Sequence, residues 1–448
     1  MNQVTVNFKE ITGKVKPVHG VCCAPYDIGK GSEQSDIQKY FTEGHIPYCR
    51  LHDCNGSYGG TYFVDVPNIF TNFDADEEDP DSYDFHYTDE YIGAIQQTGT
   101  QAYYRLGVTI EWGSKKYTSL PPRDFAKFAK ICEHIIRHYN EGWANGFTYG
   151  LTYWEIWNEP ENPGNKWGKC QWGGTKEEFF ELYRIVSRYL KMRFPKLKIG
   201  GYGSCGFYAT TRKPTKDTRE FVTFFTDFLA MAKKEQCPLD FFSWHIYSAD
   251  EQEVMQHAAY ARKTLDTYGF TETESHLNEW NIHAEGTAFA SKHSQEGMAF
   301  NAALLCLMQE SKDVDLANYY CFSSEGMYNG LMDLNTGAIE PTWYPFVAFG
   351  QLYQMKNAVK VSVQGQRIYA SAAKGQSECG VMIVNYASEE NEVQVHLKGC
   401  QTGGVMRVLY IRERCNLEEE FSISSIEKCD LKIKCKKQEV VFLKVEKC

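Results

Sequence analysis

The segment Trp154-Glu155-Ile156-Trp157-Asn158-Glu159-Pro160 decides how the rest of this chain is interpreted. It continues from the strand-like Leu151-Thr152-Tyr153, and Pro160 interrupts regular pairing, so we expect a buried strand that ends at a sharp turn. A carboxylate crowded among aromatic residues is unusual if packing is the only requirement, because charged groups are almost never buried without a partner. The spacing alone is equally compatible with a capped strand end and a solvated glutamate.

The composition describes an acidic, aromatic-rich chain. Its 448 residues exceed what one hydrophobic core usually serves, so we expect a large domain and a smaller one. An aromatic content of 15% suits a protein that packs flat apolar faces while offering hydroxyl and indole donors. The net charge of −11 argues against nucleic acid or an anionic membrane surface as a partner.

The amino terminus and the cysteines predict a cytoplasmic protein. Residues 1–9 contain no apolar core of a signal segment, and no uninterrupted apolar run is long enough to span a bilayer. The 16 cysteines are scattered without repeated spacing, which is typical of reduced thiols. No zinc-type spacing is present, so we expect neither a metal nor a cofactor. A homo-oligomer is compatible with the sequence, which leaves the oligomeric state open.

Short apolar strands alternate with amphipathic helices through most of the chain. Parallel strands need helical crossovers, so this alternation predicts a parallel sheet, and eight units fit a closed (β/α)8 TIM barrel better than an open sheet. The predicted strands are residues 18–22, 47–53 and 101–110, the Trp154 segment, and residues 197–201, 240–247, 276–281 and 316–322. The predicted helices are residues 32–40, 87–97, 121–139, 175–194, 221–234, 253–268, 294–310 and 343–355.

After about residue 358 the apolar residues alternate with a period of two, which predicts an antiparallel β-sandwich domain. The segments with this pattern are residues 359–361, 367–373, 381–386, 393–397, 405–411 and 440–445. Residues 1–14 alternate in the same way and are expected to join this domain as a strand. We therefore assign residues 15–357 to the barrel and residues 358–448 to the β-sandwich. Glu418-Glu419-Glu420 is expected in a surface turn.

Polar side chains end the predicted barrel strands. A barrel places its active site at the carboxyl ends of its strands, so these side chains should converge on one pocket. They are Arg50 and His52, Glu111, Asn158 and Glu159, His245 and Tyr247, and Glu279. Two carboxylates on nonadjacent strands facing one cavity are what hydrolysis of a glycosidic bond requires. One protonates the leaving oxygen, and the other attacks the anomeric carbon or activates water.

Five segments together resemble glycoside hydrolase family 39, a family of retaining enzymes that includes β-xylosidases and α-L-iduronidases. The likeness covers roughly residues 16–355 and keeps the family order. The segments are Arg50-Leu51-His52, Trp154 to Pro160, Ser243-Trp244-His245-Ile246-Tyr247, His276-Leu277-Asn278-Glu279-Trp280-Asn281, and Gly330-Leu331-Met332 through Pro341-Thr342-Trp343-Tyr344.

The resemblance implies that Glu159 is the general acid/base and Glu279 the nucleophile. A retaining mechanism needs the two carboxyl groups about 5–5.5 Å apart, so that the second can bond the sugar directly. Glu159 must carry a proton near neutral pH. We therefore expect burial and the charge of Glu279 to raise the pKa of Glu159.

The resemblance also implies roles around these two carboxylates. Arg50 and Tyr247 would hold Glu279, Asn158 the sugar 2-hydroxyl, His245 the acid/base and His52 another hydroxyl. Among the aromatic residues that could equally be core, which include Trp112, Trp280 is expected to form the pocket wall. Tyr320 or Phe322 would replace a missing tryptophan of the eighth strand, and Trp167 and Trp172 would roof the pocket. Glu111 is expected in a loop contact more than in a sugar contact.

The resemblance predicts a retaining exo-glycosidase of the β-xylosidase type, acting on xylo-oligosaccharides or related pentosides. Arabinoside, glucoside or uronide specificity stays open, with uronide least favoured because no cluster of lysines and arginines accompanies the pocket residues. A non-catalytic carbohydrate-binding barrel is the alternative from another class. The presence of both Glu159 and Glu279 argues against it, because such a protein would be free to lose either.

Overall fold

The computed structural model describes most of the chain. The described residues are 2–22, 37–54, 63–166, 168–282, 294–322, 330–333, 336–400, 404–412, 415–424 and 430–446. The predicted helix at residues 32–40 lies partly outside them, and Trp167 lies wholly outside them. None of the helices in the described part of the chain combines the length and the apolar composition that a membrane span requires.

Eight parallel strands close into a barrel in sequence order, which confirms the predicted (β/α)8 fold. With the amino-terminal strand β1 (Asn2–Lys14) counted first, the barrel strands are β2 (Gly20–Cys22), β3 (Tyr48–Leu51), β4 (Gln101–Leu106), β5 (Tyr153–Ile156), β6 (Lys198–Ser204), β7 (Phe241–Tyr247), β8 (Glu274–Asn281) and β9 (Leu316–Tyr319). The short strands are buried almost throughout, because helices cover the outer face of the barrel.

Helices connect the barrel strands and cover their outer face. The helices are Ile37–Glu43, Val66–Ile69, His86–Gln97, Phe125–Asn140, Lys176–Arg193, Lys216–Lys234, Glu251–Tyr268, Gln295–Glu310 and Tyr344–Met355. Short 3-10 turns lie at Pro80–Ser82, Trp143–Asn145, Tyr208–Thr210 and Pro341–Trp343. Local sequence sets several of these ends. Thr175 and Glu178, for example, form a reciprocal capping box at the start of Lys176–Arg193.

The barrel interior changes from aromatic to charged along its axis. At the amino ends of the strands, aromatic rings with Leu316 fill the lumen, as in a packed core. Those rings belong to Tyr48, Tyr103, Tyr153, Phe241 and His276. Toward the carboxyl ends the inward side chains are Arg50, Arg105, Glu155 and Asn278, all of them buried. The charged layer therefore lies directly beneath the mouth of the barrel.

The remaining strands form a nine-stranded sheet in the order β15-β14-β17-β12-β11-β10-β1-β13-β16. Its strands beyond β1 are β10 (Asn357–Gln364), β11 (Ile368–Lys374), β12 (Glu378–Asn385), β13 (Glu392–Lys398), β14 (Val405–Arg412), β15 (Cys415–Ser424), β16 (Asp430–Lys434) and β17 (Glu439–Glu446). All pairs are antiparallel except β1 with β13, which are parallel. The expected strand at residues 1–14 is therefore present, and the division at residues 357 and 358 remains a prediction.

The neighbouring strands β11, β12 and β17 are buried on both faces of the sheet. Residues of β1, β10, β13, β14 and β17 share a hydrophobic core of their own, so the two halves of the sheet face each other as in a sandwich. The phenol of Tyr410 in β14 donates to the carbonyl of Lys434 in β16 at 2.9 Å, which joins opposite ends of the strand order. Met382, Val384 and Phe442 belong instead to the core shared with the barrel.

Two sequence expectations about strands were wrong. The third barrel strand ends at Leu106 rather than at residue 110, because Asp65 accepts a hydrogen bond from the Thr109 backbone at 2.7 Å and Val66 donates to the Gly107 carbonyl. Glu418-Glu419-Glu420 lies within β15 and not in a turn. Its carboxylates face solvent on an edge strand, where charges are common.

An ion pair joins the barrel to the sheet. Arg367, just before β11, donates through Nε to the Glu251 carboxylate at 2.8 Å, and the Tyr369 phenol donates to the same carboxylate at 2.7 Å. The side chain of Glu251 is fully buried, whereas Arg407 makes only exposed ion pairs with Glu419 and Glu446.

Replacing Arg367 by alanine should destabilise the protein by about 1–3 kcal/mol, because the buried Glu251 carboxylate loses its charged donor. The matched control Arg407→Ala removes exposed ion pairs and should cost less than about 1 kcal/mol. Thermal unfolding of both variants measures the difference. Equal melting temperatures for the two variants would contradict this account of the junction.

Candidate active site

Glu159 and Glu279 face each other at the carboxyl ends of β5 and β8. One oxygen of each carboxylate and a ring nitrogen of His245 all lie within 4.8 Å of one another. The residues that the sequence placed at the ends of β5, β7 and β8 therefore meet at one point. Both glutamates are nearly enclosed, with side chains 12% and 7% exposed.

The sharp turn after β5 aims Glu159. Trp157 and Glu159 have φ angles of +72° and +42°. Residues other than glycine adopt such backbone angles at a cost of about 1–3 kcal/mol. Buried contacts hold this backbone in place. The Trp157 indole donates to the Gln171 carbonyl at 2.7 Å, and the Glu159 amide donates to the Gly203 carbonyl at 2.9 Å. The aromatic residues of the segment thus anchor the turn on which Glu159 is carried.

Donors hold both oxygens of Glu279. Arg50 donates through Nη1 to Oε1 at 2.8 Å, and the Tyr247 phenol donates to Oε2 at 2.6 Å. Arg50 also donates through Nε to Glu155 at 2.7 Å and through Nη2 to Asn158 at 2.6 Å. Burial lowers the pKa of Arg50, but the charges of Glu155 and Glu279 outweigh it and raise the pKa above its ordinary value. The guanidinium therefore stays charged and, with Tyr247, holds the Glu279 carboxylate in place.

Glu155 is a site residue to which sequence reasoning assigned no role. Its side chain is fully buried, and it accepts from Arg50 and, at 3.0 Å, from Asn278, which in turn accepts from Asn318 at 3.1 Å. Burial raises the pKa of Glu155, but the charge of Arg50 and hydrogen bonds outweigh it, so the net shift is downward. The available signal was its spacing: it alternates with Trp154 and Ile156 and so points into the barrel.

Glu159 is held by two donors. A ring nitrogen of His245, Nδ1, lies 2.8 Å from its Oε1, and the Asn162 amide donates to its Oε2 at 2.7 Å. Burial raises the pKa of Glu159, but the hydrogen bond and charge of His245 outweigh it and lower the pKa below the ordinary value of a glutamate. Burial lowers the pKa of His245, and the charges of Glu279 and Glu159 raise it above its ordinary value.

The expected rise in the pKa of Glu159 was therefore wrong. That expectation counted burial and the charge of Glu279, whereas the structure places an imidazole in direct contact with the acid. The contact lowers the pKa of Glu159 and raises the pKa of His245, a pair of shifts that favours the proton on the imidazole. The pair then stores one proton beside the carboxylate that would deliver it.

Asn158 has one amide group available beside the carboxylates. Its Oδ1 accepts from Arg50, and within the described residues its buried Nδ2 has no hydrogen-bond partner. Nε2 of His245 is likewise buried without a partner in the described part of the chain. Gly203 makes room for both groups, since at its φ of +65° a Cβ would lie 2.8 Å from Asn158 Oδ1 and 3.3 Å from His245 Nε2. These groups suit hydroxyl partners.

His52 and Asp53 extend the polar pocket from β3. Nε2 of His52 lies 3.9 Å from Glu279 and 3.4 Å from Asp53, whose Oδ2 accepts from the Tyr320 phenol at 3.1 Å. Burial lowers the pKa of His52 well below its usual range, and the charges of Arg105 and Arg50 lower it further, so the imidazole is neutral. Burial and the charge of Glu279 raise the pKa of Asp53 to about 7.

Sequence reasoning missed Asp53 and Arg105 as pocket residues. Arg105 is fully buried, pairs with Asp65 at 2.6 Å, and within the described residues leaves Nε and Nη1 without a partner. The signal was present in β4, where Arg105 alternates with Tyr104 and Leu106 and therefore points inward. Because the strand was expected to continue to residue 110, Glu111 was predicted as its polar end in place of Arg105.

Several other expected site residues lie elsewhere. Trp280 is fully buried against Tyr319 and Phe346, outside the lumen, because neighbouring residues on a strand point to opposite faces and Glu279 points inward. It therefore does not form the pocket wall. Phe322 is also core, packed on Trp343 and Phe41, which leaves Tyr320 at the pocket.

Two tryptophans of the loops, Trp172 and Trp112, also differ from the sequence expectations. Trp172 is core, packed on Trp157 at 5.1 Å, and so does not roof the pocket, whereas Trp112 is not core but 54% exposed. Glu111 makes a loop contact: its carboxylate accepts hydrogen bonds from the Tyr117 and Ser119 backbone at 2.8 and 3.0 Å. Trp167 lies outside the described residues.

The group formed by Glu159, His245 and Glu279 also has the spacing of a metal site. All four carboxylate oxygens, however, already have hydrogen-bond partners: Arg50 and Tyr247 on Glu279, and His245 and Asn162 on Glu159. The guanidinium of Arg50 would also repel a cation at this position. The arrangement is therefore that of two neighbouring carboxylates, each held by its own hydrogen-bond donors.

Glu161 is a further buried carboxyl, close enough to Glu159 for the two charges to interact. Its Oε1 accepts from the Ser204 hydroxyl and the Cys205 amide, both at 2.8 Å, and its Oε2 has no partner among the described residues. Burial, supported by the charge of Glu159, raises the pKa of Glu161 to about 8. Glu161 is therefore neutral in the folded protein near pH 7.

Replacing Glu161 by glutamine should reduce the loss of stability at high pH. The folded protein keeps the proton of Glu161 up to about pH 8, whereas the unfolded chain releases it near the ordinary value of 4.5. Its stabilising contribution is therefore complete below about pH 4.5 and is lost as the pH rises through about 8. Glutamine keeps the Oε1 acceptor and cannot ionise.

Melting temperatures measured between about pH 5 and pH 9 should fall less for Glu161→Gln than for the unmodified protein. The exposed Glu418→Gln serves as the control and should follow the unmodified protein. Parallel curves for Glu161→Gln and the unmodified protein would show that Glu161 ionises normally in the folded state.

Two curated relatives are similar to part of this chain. A β-xylosidase from Geobacillus stearothermophilus is 23% identical over 328 residues, which cover 64% of this chain and 60% of the relative. A β-xylosidase from Caldicellulosiruptor saccharolyticus is 23% identical over 259 residues, covering 55% of this chain and 46% of the relative. The chain thus spans about half the length of these relatives.

Solved structures match the whole fold. A glucosidase from Croceicoccus marinus superposes with a TM-score of 0.81 at 22% identity, and covers 100% of this chain and 99% of its own. A monomeric β-xylosidase from Caulobacter crescentus CB15 gives 0.72 at 15% identity, with 100% and 99% covered.

The sequence also matches the family model of Glycosyl hydrolases family 39 over residues 33–334. This range is more than half of the chain and includes both Glu159 and Glu279. The chain belongs to glycosyl hydrolase family 39.

Proposed function

We propose that this protein is a retaining exo-glycosidase that hydrolyses β-xylosidic or related pentoside linkages by double displacement. One observation carries the proposal. An oxygen of Glu159 and an oxygen of Glu279 lie within 4.8 Å of each other, and each carboxylate has its own set of donors. In retaining glycosidases the carboxyl groups are about 5–5.5 Å apart, whereas inverting enzymes leave about 6.5–9.5 Å for a water molecule.

In the first step, Glu279 attacks the anomeric carbon while the bond from that carbon to the leaving oxygen breaks. The Arg50 guanidinium and the Tyr247 phenol keep Glu279 ionised and aimed. Glu159 gives the leaving oxygen a proton, which the pair with His245 stores. The sugar is then an ester of Glu279, and the nucleophile has lost its negative charge.

In the second step, water attacks the anomeric carbon and the ester bond to Glu279 breaks. Glu159, now ionised, removes a proton from that water, and His245 can share the proton through the 2.8 Å contact. Two inversions at the same carbon give overall retention. Asn158 Nδ2 would bind the sugar 2-hydroxyl, a contact that strengthens as the ring gains oxocarbenium character.

The pentoside assignment draws on the curated relatives, both of which are called β-xylosidases. A glucoside is the second candidate, because the Croceicoccus marinus structure with a TM-score of 0.81 is called a glucosidase. A uronide is less favoured: the buried guanidinium of Arg105, whose charge acts on His52, is already paired with Asp65 at 2.6 Å. An arabinoside remains within the pentoside class.

The non-catalytic alternative has less support. A barrel that only binds sugar has no use for two buried carboxylates with opposing donor sets, and keeping both ionisable groups enclosed is costly. We further propose that the protein acts in the cytoplasm, with a carbohydrate substrate as its partner and neither nucleic acid nor membrane. Cys132, Cys306 and Cys435 lie buried as thiols, which fits a reducing compartment.

A panel of p-nitrophenyl glycosides tests the proposed function. We expect release of nitrophenol from the β-D-xyloside at the highest kcat/KM, and slower release from the β-D-glucoside and α-L-arabinosides. No release from any member of the panel would overturn the glycosidase proposal. Faster release from the glucoside would keep the mechanism and replace the sugar.

Variants of the two glutamates separate their tasks. Glu279→Ala should lower turnover about ten-thousand-fold or more on every substrate, because no other group can form the ester. With azide and a dinitrophenyl glycoside it should yield an inverted glycosyl azide.

Glu159→Ala should lower kcat/KM about 10²–10⁴-fold for xylobiose, whose leaving group needs a proton, and far less for a dinitrophenyl xyloside. With azide this variant should instead yield a retained glycosyl azide. Equal losses on both substrates would remove Glu159 from the acid role.

A further inference from the structure

Exposed apolar side chains concentrate in one loop beside the pocket. Among the described residues six large hydrophobic side chains are exposed, and three of them lie within residues 112–120, which we name the aromatic loop. They are Trp112, Tyr117 and Leu120, with exposures of 54%, 63% and 47%. Apolar groups clustered on a surface in this way mark a binding site rather than packing.

The aromatic loop has a fixed conformation. The Glu111 carboxylate accepts from the backbone amides of Tyr117, Thr118 and Ser119 at 2.8, 3.3 and 3.0 Å, and from the Ser119 hydroxyl at 2.6 Å. Lys116 closes the ring of contacts by donating to the Glu111 carbonyl. A loop held in this way presents its side chains without a large loss of entropy on binding.

The aromatic loop runs alongside the segment that follows Glu159. The Glu111 amide donates to the Cys170 carbonyl at 2.9 Å, and the Gly173 amide donates to the Ser119 carbonyl at 2.7 Å. Earlier in the same segment, the side-chain amide of Asn165 donates to the Trp112 carbonyl at 3.1 Å.

The same segment reaches the acid/base directly. Asn162 donates to Glu159 Oε2 at 2.7 Å and accepts from the Gly164 amide at 2.9 Å. Glu159 is the group that protonates the leaving oxygen. The aromatic loop therefore borders the side of the pocket on which the leaving group departs.

We propose that the aromatic loop is a leaving-group subsite, where Trp112 and Tyr117 stack on the apolar face of a pyranose ring of an oligosaccharide substrate. This inference rests on the proposed function. Aromatic rings suit this task because a pyranose presents a flat face of C–H groups with hydroxyls at its edge. Lys115 lies 4.8 Å from the centre of the Tyr117 ring and could serve the hydroxyls at that edge. The loop thus selects substrates by what lies beyond the scissile bond.

Trp112→Ala and Tyr117→Ala test the subsite with two substrates. Xylotriose has a sugar leaving group, whereas β-D-xylopyranosyl fluoride loses only fluoride. Each variant should lower kcat/KM for xylotriose about tenfold and leave the value for the fluoride within about twofold. Phe421→Ala removes an exposed aromatic side chain of β15, far along the chain from the loop, and should change neither value.

The outcomes separate the two proposals. Equal losses on both substrates, or no loss on xylotriose, would overturn the subsite while the active unmodified enzyme still supports the glycosidase. An unmodified enzyme that cleaves neither substrate would overturn the proposed function itself. Unchanged melting temperatures in the variants exclude a loss of folding as the cause.

Discussion

The guanidinium of Arg50 is the group on which the site depends. It is fully buried in β3 and donates at once to Glu279, Glu155 and Asn158. Burying an arginine is costly unless its donors meet acceptors, and each of the three nitrogens of Arg50 has one. Through these contacts one side chain ties β3 to β5 and β8. It fixes Glu279, the proposed nucleophile, and orients the Asn158 amide, which is proposed to hold the sugar.

The rest of the barrel is built around this charge. Aromatic rings fill the lumen at the amino ends of the strands, so that the charged layer rests on a packed aromatic layer. Glu155 offsets part of the charge of Arg50 inside the barrel, and Glu279 contacts the same guanidinium at the mouth of the barrel. The tight turn at Trp157 and Glu159 then places a second carboxylate opposite the first. The two carboxylates differ in their surroundings, because Glu279 contacts a guanidinium and Glu159 an imidazole, and the different tasks we propose for them rest on this difference.

Much of this could be predicted from the sequence because the relevant signals are local. Alternation of apolar strands and amphipathic helices predicted eight barrel strands, and the polar residues at strand ends predicted Glu159, Glu279 and their neighbours Arg50, His245 and Tyr247 as one group. The facing of side chains was harder to infer. Trp280 follows Glu279 and so faces outward, and Arg105 could be recognised as a pocket residue only if β4 ends at Leu106.

Other properties depend on contacts that no local pattern encodes. Val108, Thr109 and Ile110 have the composition of a strand, yet Asp65, about 40 residues earlier, draws Thr109 into a loop. The direction of the Glu159 pKa shift likewise depends on how closely His245 approaches it. Trp112 is exposed whereas Trp154 and Trp157 are buried, so residue type alone does not predict which tryptophan faces solvent.

A covalent bond between Glu279 and the sugar distinguishes the proposed double displacement from a single displacement by water. Incubation with 2-deoxy-2-fluoro-β-D-xylopyranosyl fluoride, followed by mass spectrometry of the intact protein and its peptides, tests for this bond directly. We expect the protein to gain the mass of one fluoroglycosyl group, located on the peptide that contains Glu279. A protein that cleaves xylosides but gains no such mass, or carries it on Glu159, would rule out Glu279 as the nucleophile.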